Sequence, residues 1–474
     1  MTKWGMSKRK KPLPGPNAEG ILNFRIDPVP YDGLTSFGGL PLVAEGFRAL
    51  GLMEEAPRLL GIKQRTKGLG DGQMLEAFLL MFAGGGERVD DFKRMREEAT
   101  LDEMLGYMPP TPASALRFLY AFHDEAILAK RPLAPGTAWV AEESRPLVGL
   151  RELNRLAVAN VAAVLPPART RTATLDHDAT IIESRKREAL AHYKGGRGYQ
   201  PVYVLWSELD LVVADEFRDG NVPAGAFNLP LVQRAFESLP ATVTERYFRS
   251  DSACYDQKVL SYLRHEKIGF AVSADMSDSL RKSIAALPEK AWKLLDVGRE
   301  WAEVIYVPGT ALFEPNTVMP DRYIAVRKQP RQLTLWEQDG YSYWAVATNL
   351  EWKGKEVLEW HRQKAGTIEH FHEVAKHELA LGIMPCGRLG ADAAWSRLNV
   401  LAYNVISFLK QTVLPKSLSK AKPKRLRYEI FRLAGVVIRH ARCVIVRLGA
   451  SAERIAGLIE ARYQLAGLAL ARAT

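Results

Sequence analysis

The stretch that most constrains this chain runs from Thr172 to Ile182 and reads Thr-Ala-Thr-Leu-Asp-His-Asp-Ala-Thr-Ile-Ile. Its β-branched residues mark it as a strand. Side chains alternate along a strand, so Asp176, Asp178 and Thr180 share one face while Leu175, Ala179 and Ile181 share the other. Two neighbouring carboxylates on one face of so apolar a strand repel each other and resist burial unless positive charge sits between them. A divalent cation is one source of that charge. The alternative is that one Asp starts a turn and the other is solvated. On this strand alone the two readings weigh equally.

The remaining chain tips the balance. A formal charge of +11 favours a polyanionic partner, nucleic acid first and an anionic membrane surface second. Cys254, Cys386 and Cys443 lack pair spacing, which signals neither a disulfide framework nor a zinc site and fits a reducing compartment. The sequence has no apolar run long enough for a membrane span and no signal-peptide core, so the expectation is a soluble, cytoplasmic, nucleoid-associated protein with no membrane partner.

At 474 residues several domains are expected. Residues 1–37 open with Lys3, Lys8, Arg9, Lys10 and Lys11 ahead of Pro12, Pro14 and Pro16, and read as a flexible basic arm. From 38 to 165 apolar residues recur at three and four, giving a helical domain expected to bind DNA; Thr111 to Leu119 reads as a capped helix presenting an arginine. After 165 the texture turns to strands: the acidic strand, Gly198–Trp206 and Leu211–Arg218, then a helix near 229–239, a strand at 244–250, a helix near 257–264 and a strand at 268–273. Three strands followed by helix, strand, helix, strand is the order of a ribonuclease-H-like α/β sheet. Residues 276–350, with Trp292, Trp301, Trp336 and Trp344 among short β-like runs, read as a β-rich insertion. Helical pattern returns over 354–384 and 391–412, so the core comprises 166–275 and 351–412. Residues 413–474 read as a basic helical region, with Lys416, Lys420, Lys422, Lys424, Arg425 and Arg427 favouring phosphate contacts.

Two further carboxylates stand out. Asp251 lies at the end of a predicted strand, where sites in α/β folds collect; capping the next helix is its plainer role. Glu369 lies in a helix with Lys376 seven residues on, so both point the same way, although such a pair is usually plain surface. Two patterns are rejected. His372-Glu373 to His377 is one residue too long for a metalloprotease helix, since five steps turn the second His about 140° from the first. Lys194 to Tyr199 lacks the ending of a phosphate-binding loop and precedes a strand, leaving a basic turn suited to a DNA phosphate.

Four patches in order, Leu175 to Thr180, Tyr193 to Pro201, Arg249 to Ser252, and Thr367 to Lys376 with Ala393 to Leu398, resemble the DDE transposases of bacterial insertion sequences, in the branch with a β-rich insertion before the last acid. The resemblance implies a ribonuclease-H-like core in which Asp178, Asp251 and Glu369 hold two Mg²⁺ ions, with Mn²⁺ as a substitute and Asp176 as the alternative to Asp178. It implies an endonuclease and polynucleotidyl transferase that cuts double-stranded DNA at transposon ends and joins the 3′-hydroxyls to target DNA, working as a homodimer on DNA. The family's Tyr and Arg ahead of the Glu are replaced here by Arg362 and Ala365, so Arg362 and Lys364 stand in for them beside Lys376, with Lys194 and Arg197 as further DNA contacts. A ribonuclease-H-fold nuclease that does not transpose, a transposase-derived DNA-binding protein and a membrane-surface protein with an amphipathic helix among the C-terminal arginines remain as alternatives.

Overall fold

The computed structural model describes residues 33–98, 100–132, 137–309, 321–328, 340–441 and 443–473; the basic arm before residue 33, and Trp336, lie outside them. The acidic stretch forms strand β1 (Thr172–Ala179), followed by β2 (Val202–Trp206), β3 (Leu211–Glu216), β4 (Glu245–Ser250) and β5 (Gly269–Ser273). The expected strand across 198–206 breaks at Gln200-Pro201, because Pro201 has no N–H to give a ladder. Strands β6 (Lys293–Asp296), β7 (Arg299–Val304), β8 (Arg322–Lys328) and β9 (Ser342–Thr348) come from the expected β-rich stretch. All nine form one mixed sheet in the order β6-β7-β8-β9-β5-β4-β1-β2-β3. The β-rich stretch therefore lengthens the central sheet from the β5 edge. β1 runs parallel to β4, with Asp176 opposite Arg249, and antiparallel to β2, with Asp178 opposite Tyr203.

The helices packed around the sheet include α1 (Pro41–Ala49), α2 (Leu52–Leu60), α3 (Asp71–Gly84), α4 (Arg145–Val164), α5 (Asn228–Glu237), α6 (Gln257–His265), α7 (Gly354–Arg362), α8 (Ile368–Glu378), α9 (Leu389–Thr412) and α10 (Ala452–Ala473). Helix α9 is buried on every side from Leu389 to Leu409, the mark of a central helix with neighbours all round. Trp395 meets Phe82 edge-on at 4.7 Å from α3 and donates from its indole N–H to the Ala380 carbonyl. Asn404 joins Asn154 of α4 at 2.8 Å and also bonds both backbone groups of Val212 in β3. One hydrophobic core thus runs from Phe37 to Leu465. The helices before 165 wrap α9 and share that core, where the sequence suggested a separate domain.

The C-terminal region departs from expectation. Gly435–His440 and Cys443–Leu448 form a hairpin, β10 and β11, and β10 pairs with Leu34–Thr35 near the other end of the chain. Val436, Val437, Ile438, Val444, Ile445 and Val446 crowd this basic run with β-branched side chains, which favour strands over the helix assigned from charge.

Inside the core, Arg397 of α9 bonds Asp215 at 2.9 Å and Glu143 at 2.6 Å, and all three sit at or near zero exposure except the partly covered Glu143. Arg397→Leu leaves the buried Asp215 carboxylate unpaired, while Glu143 keeps Arg151, and equilibrium denaturation is expected to show a loss of about 3–5 kcal/mol.

Candidate active site

The site grows from the carboxyl ends of β1 and β4. Asp176 is fully buried and meets Arg249 on the neighbouring strand in a two-point pair, Nε–Oδ1 at 2.6 Å and Nη2–Oδ2 at 2.8 Å. Ser207 donates to the same carboxylate at 3.0 Å, and Thr367, just before α8, donates to it as well. Asp176 is thereby saturated with donors. Its charge is spent on holding β1, β4, the turn after β2 and the start of α8 together.

Asp178, two residues on and on the same face, has no such partner. Extending the β1–β4 register by two places from the Asp176–Arg249 pair sets Asp178 beside Asp251. Burial, with the neighbouring carboxylates of Asp251 and Glu369, raises its pKa to about 6 against the pull of Lys364. The Lys364 ammonium stands 3.5 Å from Oδ2 of Asp178, and Nδ1 of His372 stands 3.7 Å from the same oxygen. Asp251 Oδ1 accepts from the Ala253 amide at 3.1 Å, the expected capping role, and its charge still reaches Asp178. Glu369 is exposed in the first turn of α8, where the positive end of the helix dipole favours a carboxylate.

The expected single helix over 354–384 breaks at Gln363–Gly366. This break decides where the flanking cations go. Arg362 turns outward to Asp296 at 3.2 Å, whereas Lys364 is buried against Asp178. Lys376 donates to the Ile181 carbonyl at 2.8 Å, just past β1, so Glu369 and Lys376 both face that strand end. Lys194 is exposed, and its charge acts on Lys376. Other expected DNA contacts are otherwise engaged. Arg197 donates to the Ala189 carbonyl at 2.7 Å and so closes its own hairpin. Arg427 is directed inward, donating to the carbonyls of Phe82, Ala83 and Glu378 at the ends of α3 and α8; unsatisfied carbonyls at a helix end attract a cation. Lys422 pairs with Glu373 at 2.8 Å and Arg425 with Glu429. Lys424 is exposed and makes no ion pair among the described residues.

Sequence reasoning passed over Arg249, Thr367 and His372. Arg249 and Asp251 are two apart on one strand, as Asp176 and Asp178 are on the next, and that matched spacing was the available signal. His372 entered only as half of a rejected zinc pattern. It is buried, its Nε2 lacks a partner among the described residues, and burial lowers its pKa to about 3, so it is neutral at physiological pH.

The matched family model is that of the transposase DDE domain, group 1, and it spans residues 32–468. The chain belongs to this family. No curated protein matches this DDE transposase. Among solved structures it is similar to the piggyBac transposase synaptic complex with hairpin DNA, at 10% identity and a TM-score of 0.47, over 82% of this chain and 79% of that one. No helix among the described residues is long and apolar enough to cross a membrane.

The candidate metal ligands are the carboxylates of Asp178, Asp251 and Glu369. Their donor set is all oxygen, which suits hard cations such as Mg²⁺ or Mn²⁺. Among the described residues no three potential ligands already stand at binding distance. Burial is the first cause of the raised Asp178 pKa, and the charges of Asp251 and Glu369 add to it while Lys364 opposes it.

A proton is held more tightly by Asp178 in the folded protein than in the unfolded chain, whose Asp titrates near about 3.9. Between that value and about 6, stability therefore falls as pH rises. Metal-free Asp178→Asn is expected to melt at least as high as wild type at pH about 8, with its advantage shrinking toward pH about 5 as the wild-type carboxyl is neutralised. Added Mn²⁺ should raise the wild-type melting temperature and leave the variant unmoved; thermal denaturation at both pH values reads both effects.

Proposed function

We propose that this DDE transposase mobilises an insertion sequence: it cuts double-stranded DNA at the element's ends and joins the freed 3′-hydroxyls to target DNA. The observation that supports this reading is that Asp178 and Asp251 lie at the ends of adjacent parallel strands, with Glu369 at the start of α8 near enough for its charge to act on Asp178. The order β3-β2-β1-β4-β5, in which only β2 runs opposite to β1, supports a ribonuclease-H-like core. Asp178, Asp251 and Glu369 would hold two divalent cations, which when bound activate a water or 3′-hydroxyl nucleophile and stabilise the leaving oxygen.

The chain's own residues set the stage for that chemistry. Asp176 and Arg249 fix the strand ends and the start of α8, so Asp178, Asp251 and Glu369 keep their spacing. Lys364 balances the Asp178 charge, and its ammonium is freed to meet a DNA phosphate once a cation takes that task. Lys376 and Lys194 flank the strand end as further phosphate contacts, and Lys424 lies on the basic C-terminal surface. Two ends must be held together for paired joining, so a homodimer on DNA is the expected assembly.

Linear DNA carrying the gene's flanking ends, incubated with the protein and Mg²⁺, tests the assignment. Asp178→Asn, Asp251→Asn and Glu369→Gln are each expected to slow end cleavage by a factor on the order of 10² or more while remaining folded. Asp176→Asn should instead lower the melting temperature, since it leaves Arg249 short of its buried counter-charge. Cleavage by the first three variants at the wild-type rate would refute the site.

A further inference from the structure

Away from the carboxylates, the loop between α2 and α3 borders an open cleft of about 580 Å³ whose other wall is Arg96 and the helix Pro112–Tyr120. Five cations line it, Lys63, Arg65, Lys67, Arg96 and Arg117, against the single carboxylate of Asp71. That carboxylate is turned into the protein, where it accepts from the backbone amides of Ile62 at 3.0 Å and Lys63 at 3.1 Å. Among the described residues none of the five cations makes an ion pair with a side-chain carboxylate. This contrasts with Lys422, Arg425 and Arg362, each of which has found one.

The cleft is held in shape by its own contacts. Asp71 pins the start of the loop, Lys63 donates to the Gly68 carbonyl, and Arg96 donates to the Pro109 carbonyl on the opposite wall from that loop. Gly68 takes φ +88° to close the loop, a conformation that favours glycine. Arg65, Lys67 and Arg117 are left exposed, with Arg117 donating to the Ser114 hydroxyl at 3.3 Å. Like charges gathered without counter-charge cost stability and raise the local positive potential, which a polyanion relieves.

We propose that this cleft binds the phosphate backbone of duplex DNA, as a contact separate from the cutting site and indifferent to base sequence. The proposal rests on the transposase reading for its choice of polyanion. It deepens that reading by giving the helices before residue 165 a defined DNA contact. Evenly spaced phosphates would meet Arg65, Lys67 and Arg117 from the solvent side, and each such contact releases condensed counterions.

The test measures binding of the full chain to a fluorescent duplex of arbitrary sequence by anisotropy, in EDTA, across a salt series. Wild type is compared with the triple variant Arg65→Gln/Lys67→Gln/Arg117→Gln and with the charge-preserving triple Arg65→Lys/Lys67→Arg/Arg117→Lys, all checked for folding by thermal melting. The neutral triple should bind more weakly on every duplex, with a slope of log affinity against log salt shallower by about 2 to 3. The charge-preserving triple should keep the wild-type slope. A neutral triple with wild-type affinity and slope overturns the proposal, as does a charge-preserving triple that is folded yet loses binding equally. Because the assay runs in EDTA it reads binding alone, and the cleavage assay with Mg²⁺ alone judges the cutting site.

Discussion

The buried pair of Asp176 and Arg249 is the interaction on which the site depends. Arg249 uses nearly all of its fork: two bonds to Asp176, one to Ser207 at 2.9 Å and one to the Trp360 carbonyl at 2.7 Å. Its guanidinium also lies 5.0 Å from the Trp360 ring. Asp176 answers with bonds from Ser207 and Thr367. Two central strands, the end of α7 and the start of α8 thus meet at one neutralised charge. Desolvating two ions is costly, and only so complete a set of partners makes such a pair tolerable. What it secures here is position.

That arrangement gives the two aspartates of β1 opposite electrostatic fates. Asp176 is satisfied by fixed protein donors and has nothing left to offer a ligand. Asp178 has a lysine at 3.5 Å as its cation, and burial, with the charges of Asp251 and Glu369, raises its pKa. A neutral, buried His372 alongside keeps the pocket from being over-supplied with cations. The same physics recurs around Arg397, where charges are buried for structure, and in the cleft by α3, where they are left unpaired at the surface.

Much of this was readable from the residues. Period-two alternation placed Asp176 and Asp178 on one face, and the strand-helix order from 172 to 273 matched the elements that form. Misreadings came where a local signal was outvoted. The run from 354 to 384 carries helical spacing throughout, yet it breaks at Gln363–Gly366, and the break sends Arg362 and Lys364 in different directions. The basic charge of 435–448 masks its β-branched residues, which form a hairpin where the sequence predicts helix. Arg197 and Arg427 looked like phosphate contacts because a sequence shows a cation but not the backbone carbonyls around it.

The sequence by itself determined the acidic strand, the three carboxylates spread over nearly two hundred residues, and the net positive charge, since each follows from residue type and short-range spacing. Tertiary structure alone decided which strand aspartate is saturated by protein donors, Asp176, and which is not, Asp178. The reason is that a charge's role depends on its partners, and Arg249, Thr367, Lys364 and His372 reach β1 only when the sheet and its covering helices close around it.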